Sequence, residues 1–168
     1  KVGPITSLTE SSESARVCNL FYANARDYIL AKHPWNFAVK RIELTSTVAD
    51  PIYEYDVMYQ IPSGCLRVLQ LESDLENVCW EREEDKIITD AASPINIKYI
   101  SQITDPSKFT ANFVLTLSTY LAYLMASTMT NDIATMQFLY QAFDIHLKTA
   151  KGADSLEGRT KQAFMNDP

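Results

Sequence analysis

The chain is poor in the residues from which most active sites are built. It has two histidines, His33 and His146, and four glycines. A phosphate-cradling loop needs several glycines close together, and no glycine-rich nucleotide loop, G-x-S-x-G or H-E-x-x-H occurs. A serine- or cysteine-type hydrolase needs a nucleophile, a base and an orienting group that converge. His146 stands between Ile145 and Leu147 inside a helical pattern, and His33 falls near a helix C-terminus, where capping or packing is expected. Three cysteines, Cys18, Cys65 and Cys79, are spread singly without C-x-x-C spacing. That argues against a disulfide framework or a zinc site and predicts free, buried thiols. There is no block of basic residues, and 15 basic against 21 acidic side chains give a net charge of −6. Nucleic-acid binding as a main activity and attraction to a membrane surface are both disfavoured. The longest apolar pattern, Phe109 to Met129, is interrupted by Thr, Ser and Asn and reads as a core helix, not a membrane span. No calcium-loop pattern and no charged-then-apolar leader is present. The first residue is Lys1, so upstream sequence is expected to be missing.

What is present is a change of period, helix to strand and back. Ser7 followed by Glu10 matches a capping box. Ala15, Cys18, Phe21, Tyr22, Ala25, Tyr28 and Ile29 then form one helical stripe, with Arg16, Asn19, Arg26 and Asp27 opposite. The helix should stop near Lys32 or His33, because Pro34 pushes the residue before it out of the helical region. Trp35, Phe37 and Val39 alternate, predicting a strand that buries both aromatics on one face, with a bulge near Lys40-Arg41. Tyr53 to Val57, Cys65 to Leu71, Asn77 to Glu83, Lys86 to Thr89 and Ile95 to Tyr99 predict further strands, mostly antiparallel, with the second covered on both faces. Asp105-Pro106 is an N-cap with proline at the first helical position. Phe109, Phe113, Leu117, Tyr120, Leu121 and Leu124 follow as one stripe, and Thr130-Asn131-Asp132 recaps. Ile133, Met136, Leu139, Tyr140, Phe143, Leu147 and Ala150 share the face of a last helix that Gly152 should close.

The fold class expected is α+β: a helical bundle of three long helices from residues 1–34 and 104–152, an inserted, mostly antiparallel β-rich subdomain over 35–103, and a C-terminal tail over 153–168. The acidic run Glu81-Arg82-Glu83-Glu84-Asp85 is the one cluster with acid–base chemistry. A glycosidase holds two carboxylates across a cleft; residues adjacent in a strand or turn do not, so the run reads as a solvated hairpin. Trp35 and Trp80 read as core or interface. No catalytic, cofactor-binding or metal site is expected, and no cofactor.

Several segments together resemble a known family. They are Ile5-Thr6-Ser7-Leu8; a helix carrying Ala15, Cys18-Asn19, Tyr22 and Arg26-Asp27; then His33-Pro34-Trp35-Asn36-Phe37-Ala38. A tyrosine-rich segment, Pro62 with Cys65-Leu66-Arg67-Val68, Tyr99-Ile100 before Thr104-Asp105-Pro106, and Phe109, Phe113 and Leu121-Ala122 complete the series. Over residues 3 to 152 this order is similar to the tail tubular protein A family, the head-to-tail adaptor of short-tailed double-stranded-DNA bacteriophages. The resemblance implies a helical bundle with a β-rich insertion. It also implies a ring, commonly of twelve copies, that docks on the portal protein and carries the tail nozzle, a tail tubular protein B-like partner. Members usually carry a further N-terminal helix before the segment that corresponds to Gly3–Leu8.

The function expected is a structural adaptor in the virion, at the head–tail junction, assembled in the host cytoplasm. It lines the exit channel of genomic DNA without sequence-specific binding, and no membrane is involved. Twelve copies at −6 each carry roughly −72 charges, and a negative bore lets DNA slide. The alternatives are a head-completion connector of a long-tailed phage, which the long strand-rich insertion disfavours, and a tail-associated polysaccharide hydrolase using Glu81, Glu83 and Glu84. Partner-binding residues are expected among the tyrosines Tyr53, Tyr55 and Tyr59, taken as exposed, and among Leu156, Phe164 and Met165 as anchors of the tail.

Overall fold

The computed structural model describes residues 5–47, 51, 53–73, 78–130 and 132–157. The elements are α1 (Glu13–Ala31), β1 (Val39–Leu44), β2 (Val57–Gln60), β3 (Cys65–Glu72), β4 (Trp80–Glu83), β5 (Lys86–Thr89), β6 (Ile95–Ser101), a short 3₁₀ turn (Pro106–Lys108), α2 (Ala111–Met129) and α3 (Ile133–Leu156). The protein is therefore α+β, with three helices and two small antiparallel sheets; the helices do not gather as the expected bundle of three long helices, and the close helix pairing among the described residues is that of α2 with α3. The chain divides into two compact units, Asp27–Lys108 and the residues on either side of it in sequence.

Three helix starts were open to several caps, and local hydrogen bonds chose among them. Ser7 and Glu10 do not open α1. The Ser7 hydroxyl accepts from the Thr9 amide at 3.1 Å and the Ser7 carbonyl from the Glu10 amide, which closes a turn instead. Ser12 caps the helix: its Oγ accepts from the Ala15 amide at 3.2 Å and its carbonyl from Arg16. Asp105 likewise caps only the 3₁₀ turn, accepting from the amide and hydroxyl of Ser107. Thr110, five residues later, caps α2. Asp132 caps α3 as expected, accepting from the Ala134 amide at 3.0 Å.

In the unit Asp27–Lys108, α1 ends one turn before Trp35. The indole N–H of Trp35 donates to the Ile29 carbonyl at 2.9 Å, a group that a helix end leaves without its intrahelical partner. Trp35 and Phe37 are not in a strand. The Trp35 carbonyl accepts from the amides of Ala38 and Val39, so the chain turns there, with the two rings still stacked at 6.2 Å. β1 then pairs with β6 in unbroken register from Val39↔Ile100 to Leu44↔Ile95. The bulges lie instead in β3, between Cys65 and Arg67 and between Val68 and Gln70. β3 is an edge strand covered in part, because β6 takes the centre of the order β1-β6-β3. The second sheet is β2-β5-β4. Tyr53 to Asp56 is bend rather than strand, and Asn77 lies outside the described residues.

The two sheets bury one cluster between them: Leu44, Ile95, Ile97 and Tyr99 from the first, Tyr59 and Ile87 from the second. Alternation in β6 sends Ile95, Ile97 and Tyr99 into that cluster, while Ile100 is buried on the opposite face. Tyr59 is fully buried, and its hydroxyl donates to the Ala91 carbonyl at 2.8 Å.

In the other unit, α2 and α3 pair antiparallel. Thr119 bonds His146 at 3.0 Å, Tyr120 packs on Phe143 and Tyr123 on Tyr140. Phe143, Leu147 and Ala150 are buried as the spacing of α3 predicts, but Ile133 and Tyr140 are exposed. Arg26, expected on the polar side of α1, is buried, with its guanidinium 5.9 Å from the centre of the Tyr22 ring. Gly152 does not close α3, which runs on to Leu156.

Two substitutions check this packing. Tyr59→Phe leaves the Ala91 carbonyl without its buried donor and should cost about 1–2 kcal/mol, whereas Tyr59→Ala should cost about 3–5 kcal/mol. Gly152→Ala should stabilise the chain by about 0.5–1 kcal/mol, because glycine is a poor helix former and a Cβ there meets nothing within 4 Å among the described residues. Urea unfolding measures both. A neutral Tyr59→Ala would contradict the burial, and a destabilised Gly152→Ala would contradict the helix.

Candidate functional site

The partner-binding tyrosines do not form one surface. Tyr59 is corrected outright: in β2 it alternates inward with its ring in the core, so it is not available to a partner. Tyr53 is 74% exposed, beside Glu54, which has a positive φ of 71°. Tyr55 is half-buried. Its phenol is pushed above the usual tyrosine range by burial and then by the charge and hydrogen bond of Glu81. Leu156 is on α3 rather than in a separate tail, and is 88% exposed. Phe164 and Met165 lie outside the described residues.

The acidic run forms a hairpin. β4 and β5 pair from Trp80↔Thr89 to Glu83↔Lys86, with Glu84 at φ 51° in the connecting turn. Glu81, Glu83, Glu84 and Asp85 are all exposed. Arg82 belongs to the scaffold: its guanidinium donates to the carbonyls of Leu66 at 3.3 Å, Cys65 at 3.5 Å and Glu84 at 3.2 Å. Asp85 holds the side-chain amide of Gln60 through its carbonyl and carboxylate, both at 2.9 Å. Every charged group of this hairpin that makes a described bond makes it to the fold.

The cysteines are free: Cys65 buried, Cys18 half-buried, and Cys79, against expectation, exposed at the start of the hairpin. Burial pushes the thiols of Cys18 and Cys65 up, away from the reactive thiolate form. Among the described residues no three His, Cys, Asp or Glu side chains gather as a metal would need, and no helix is long and apolar enough to cross a membrane. A depression of about 690 Å³ lies along Leu8–Glu13 with Arg16 and Asn19. Its polar groups bond one another. Glu10 accepts from the Thr6 amide and hydroxyl and from Ser12, and Asn19 donates to the Leu8 carbonyl at 2.6 Å.

What the helical spacing did not bring out is an uncovered apolar face. Phe138 is 70% exposed and Ile145 62% exposed, on the same side of α3 as Leu156. Val114 and Leu115 are about half exposed on α2. No family model matches the chain, and no curated protein is significantly similar to it.

The one strong titration belongs to the N-terminal turn. Glu10 is lowered from 4.5 to about 2, first by its hydrogen bond from Ser12 and then by those from Thr6. A folded pKa below the unfolded one means that the turn is held best above 4.5 and loosens as pH falls toward 2. The Thr6 amide resonance should therefore titrate with a midpoint near 2, and Glu10→Gln should abolish that step. A midpoint at 4.5 would show the carboxylate free.

Proposed function

We propose that this chain is a structural head-to-tail adaptor of a short-tailed double-stranded-DNA bacteriophage, similar to the tail tubular protein A family. The observation that carries the reading is the ordered series of segments: the helix carrying Cys18-Asn19 and Arg26-Asp27, His33-Pro34-Trp35, Cys65-Leu66-Arg67-Val68, Tyr99-Ile100 before Thr104-Asp105-Pro106, then Phe109 and Phe113. In this reading residues 1–34 and 104–152 carry the three helices, 35–103 are the inserted β-rich part, and residues after 152 reach a partner. Copies form a ring, of twelve in the family, between the portal and a tail tubular protein B-like nozzle, at the head–tail junction of the virion. The role is mechanical, not enzymatic. DNA passes a bore whose negative charge repels it, in keeping with the net charge of −6 per copy.

Two features support it. Glu83 and Glu84 line an open depression with Met58 and Lys86, but they are exposed neighbours at one hairpin turn rather than carboxylates on two walls, which weakens the hydrolase alternative. Apolar side chains also stand uncovered on α2 and α3, as they do on a subunit whose partner is absent. Tyr53, Leu156, Phe164 and Met165 remain the residues proposed for partner contact.

Light scattering after size exclusion tests the reading. The 19.0 kDa chain, mixed with the cognate portal ring, should co-elute with it in stoichiometric numbers. Tyr53→Ala should weaken retention while changing stability by less than about 0.5 kcal/mol, as expected at an exposed position. A chain that never associates with the cognate portal overturns the adaptor reading.

A further inference from the structure

α2 carries no charged residue, and neither does any position between Lys108 and Asp132. Its inner side holds α3 through Thr119, Tyr120 and Tyr123. Its outer side, turned away from α3 at 3.6 residues per turn, presents Val114, Leu115, Ser118, Ala122 and Met125. α3 shows the same arrangement. Phe143 and Leu147 are buried, and the roughly opposite side presents Phe138, Ala142, Ile145, Thr149, Gly152 and Leu156. The exposed charges of α3 are kept off that stripe. Asp144 and Lys148 pair with each other at 2.6 Å on one flank, beside Lys151. In a chain that is 21% charged, two exposed helix faces without a charge are matched to each other rather than to water.

The two faces cannot meet within one chain, because they lie on the outer sides of a single antiparallel hairpin. They can meet between chains. We infer that the outer face of α3 in one copy packs against the outer face of α2 in the next, head to tail, extending one layer of helices from copy to copy. The inference deepens the ring reading above by naming the surfaces that join its copies. A self-paired α3 would leave the α2 face wet, whereas head-to-tail contact covers both faces with one interface, the heterologous kind that closes rings.

Gly152 fits this arrangement. Among the described residues nothing lies within 4 Å of where its Cβ would stand, and no positive φ requires it. On the α3 stripe it lets a neighbouring helix come close. The size of the face sets the strength. From Ala134 to Leu156 the stripe is roughly 33 Å long and about 10 Å wide, which offers on the order of 300 Å² against the ~800 Å² per partner of a stable pair. One contact is then weak, and closure, which gives every copy two contacts, makes the assembly stable.

Two charge variants, each blocking one face, test the inference by sedimentation at concentrations up to roughly 1 mM, where weak pairs with Kd near that value form. The wild type should associate with rising concentration. Ile145→Glu and Leu115→Glu should each associate at least ten-fold more weakly. An equimolar mixture of the two keeps one intact α2 face and one intact α3 face, and should form a species near 38 kDa, twice the 19.0 kDa chain, that grows no further. Gly152→Ala should weaken association several-fold although it helps the helix. Melting curves show whether each variant folds, and Phe138→Lys with Val114→Lys provides a second pair.

Leu115→Glu that still dimerises alone would show α3 pairing with itself and overturn the head-to-tail arrangement. A wild type monomeric throughout, or variants that associate like it, would overturn it too. The adaptor reading stands or falls separately. A capped pair in the mixture with no portal binding sinks the adaptor and keeps the interface. Portal-bound rings untouched by either substitution sink the interface and keep the adaptor.

Discussion

Trp35 fixes the point at which the chain stops being helix and starts being sheet. Its indole donates to the Ile29 carbonyl, which also accepts from the Lys32 amide, so the end of α1 is tied off by a side chain four residues beyond it. Its own carbonyl takes the amides of Ala38 and Val39. The next bond outward, from the Ser101 amide to the Ala38 carbonyl, joins β6 to this turn, and the ladder Val39↔Ile100 starts one step later. Because side chains alternate along a strand, a slip of one residue there would turn Ile95, Ile97 and Tyr99 out of the core. The Trp35 side chain is wholly buried, so the turn cannot open without exposing one of the largest apolar surfaces in the unit.

The sequence was legible where a period runs long. The body and end of α1 and the inward alternation of Ile95, Ile97 and Tyr99 stand where the pattern puts them, although the start of α1 does not; the four-residue strand Lys86–Thr89 also stands in place. It misled where the pattern is short. Trp35-x-Phe37-x-Val39 and Tyr53-x-Tyr55-x-Val57 alternate over five residues, and so short a run satisfies a turn or a bend leading into a strand as easily as a strand throughout. Caps were ambiguous for a related reason. Ser7, Ser12, Asp105 and Thr110 are all good N-cap residues, and the choice depended on which amide each could reach. Gly152 looked like a stop because glycine often follows a helix, yet a glycine tolerated inside a helix has the same letter.

The candidate surface was less legible than the fold. Tyr59 and Tyr53 share a segment and a residue type, and only the register of β2 against β5 separates a core tyrosine from an exposed one. On α3 the search for one stripe gathered Ile133 and Tyr140 with Phe143 and Leu147, although the first two are exposed. Phe138 and Ile145 fell outside it. A second apolar face becomes visible only when the first has been placed against its neighbour, since an apolar residue in a helix carries no mark of which side is covered. Its clearest sign in the letters was negative, the long interval from Lys108 to Asp132 without a charge.

That interval bears on how the chain spends its charge. The exposed strand faces, the β4–β5 hairpin and the Asp144–Lys148 flank of α3 carry it. A net charge of −6 keeps copies apart at long range, so the contact between copies proposed above would have to come from short-range apolar burial. Burial of Phe138, Ile145 and Leu156 against Val114 and Leu115 would supply it at about 25 cal/mol per Å² of apolar area, less the cost of bringing two bodies together. With faces this small the remainder for one contact is slight. In the proposed assembly single contacts would dissociate readily, and only a closed set of copies, each held on two sides, would persist.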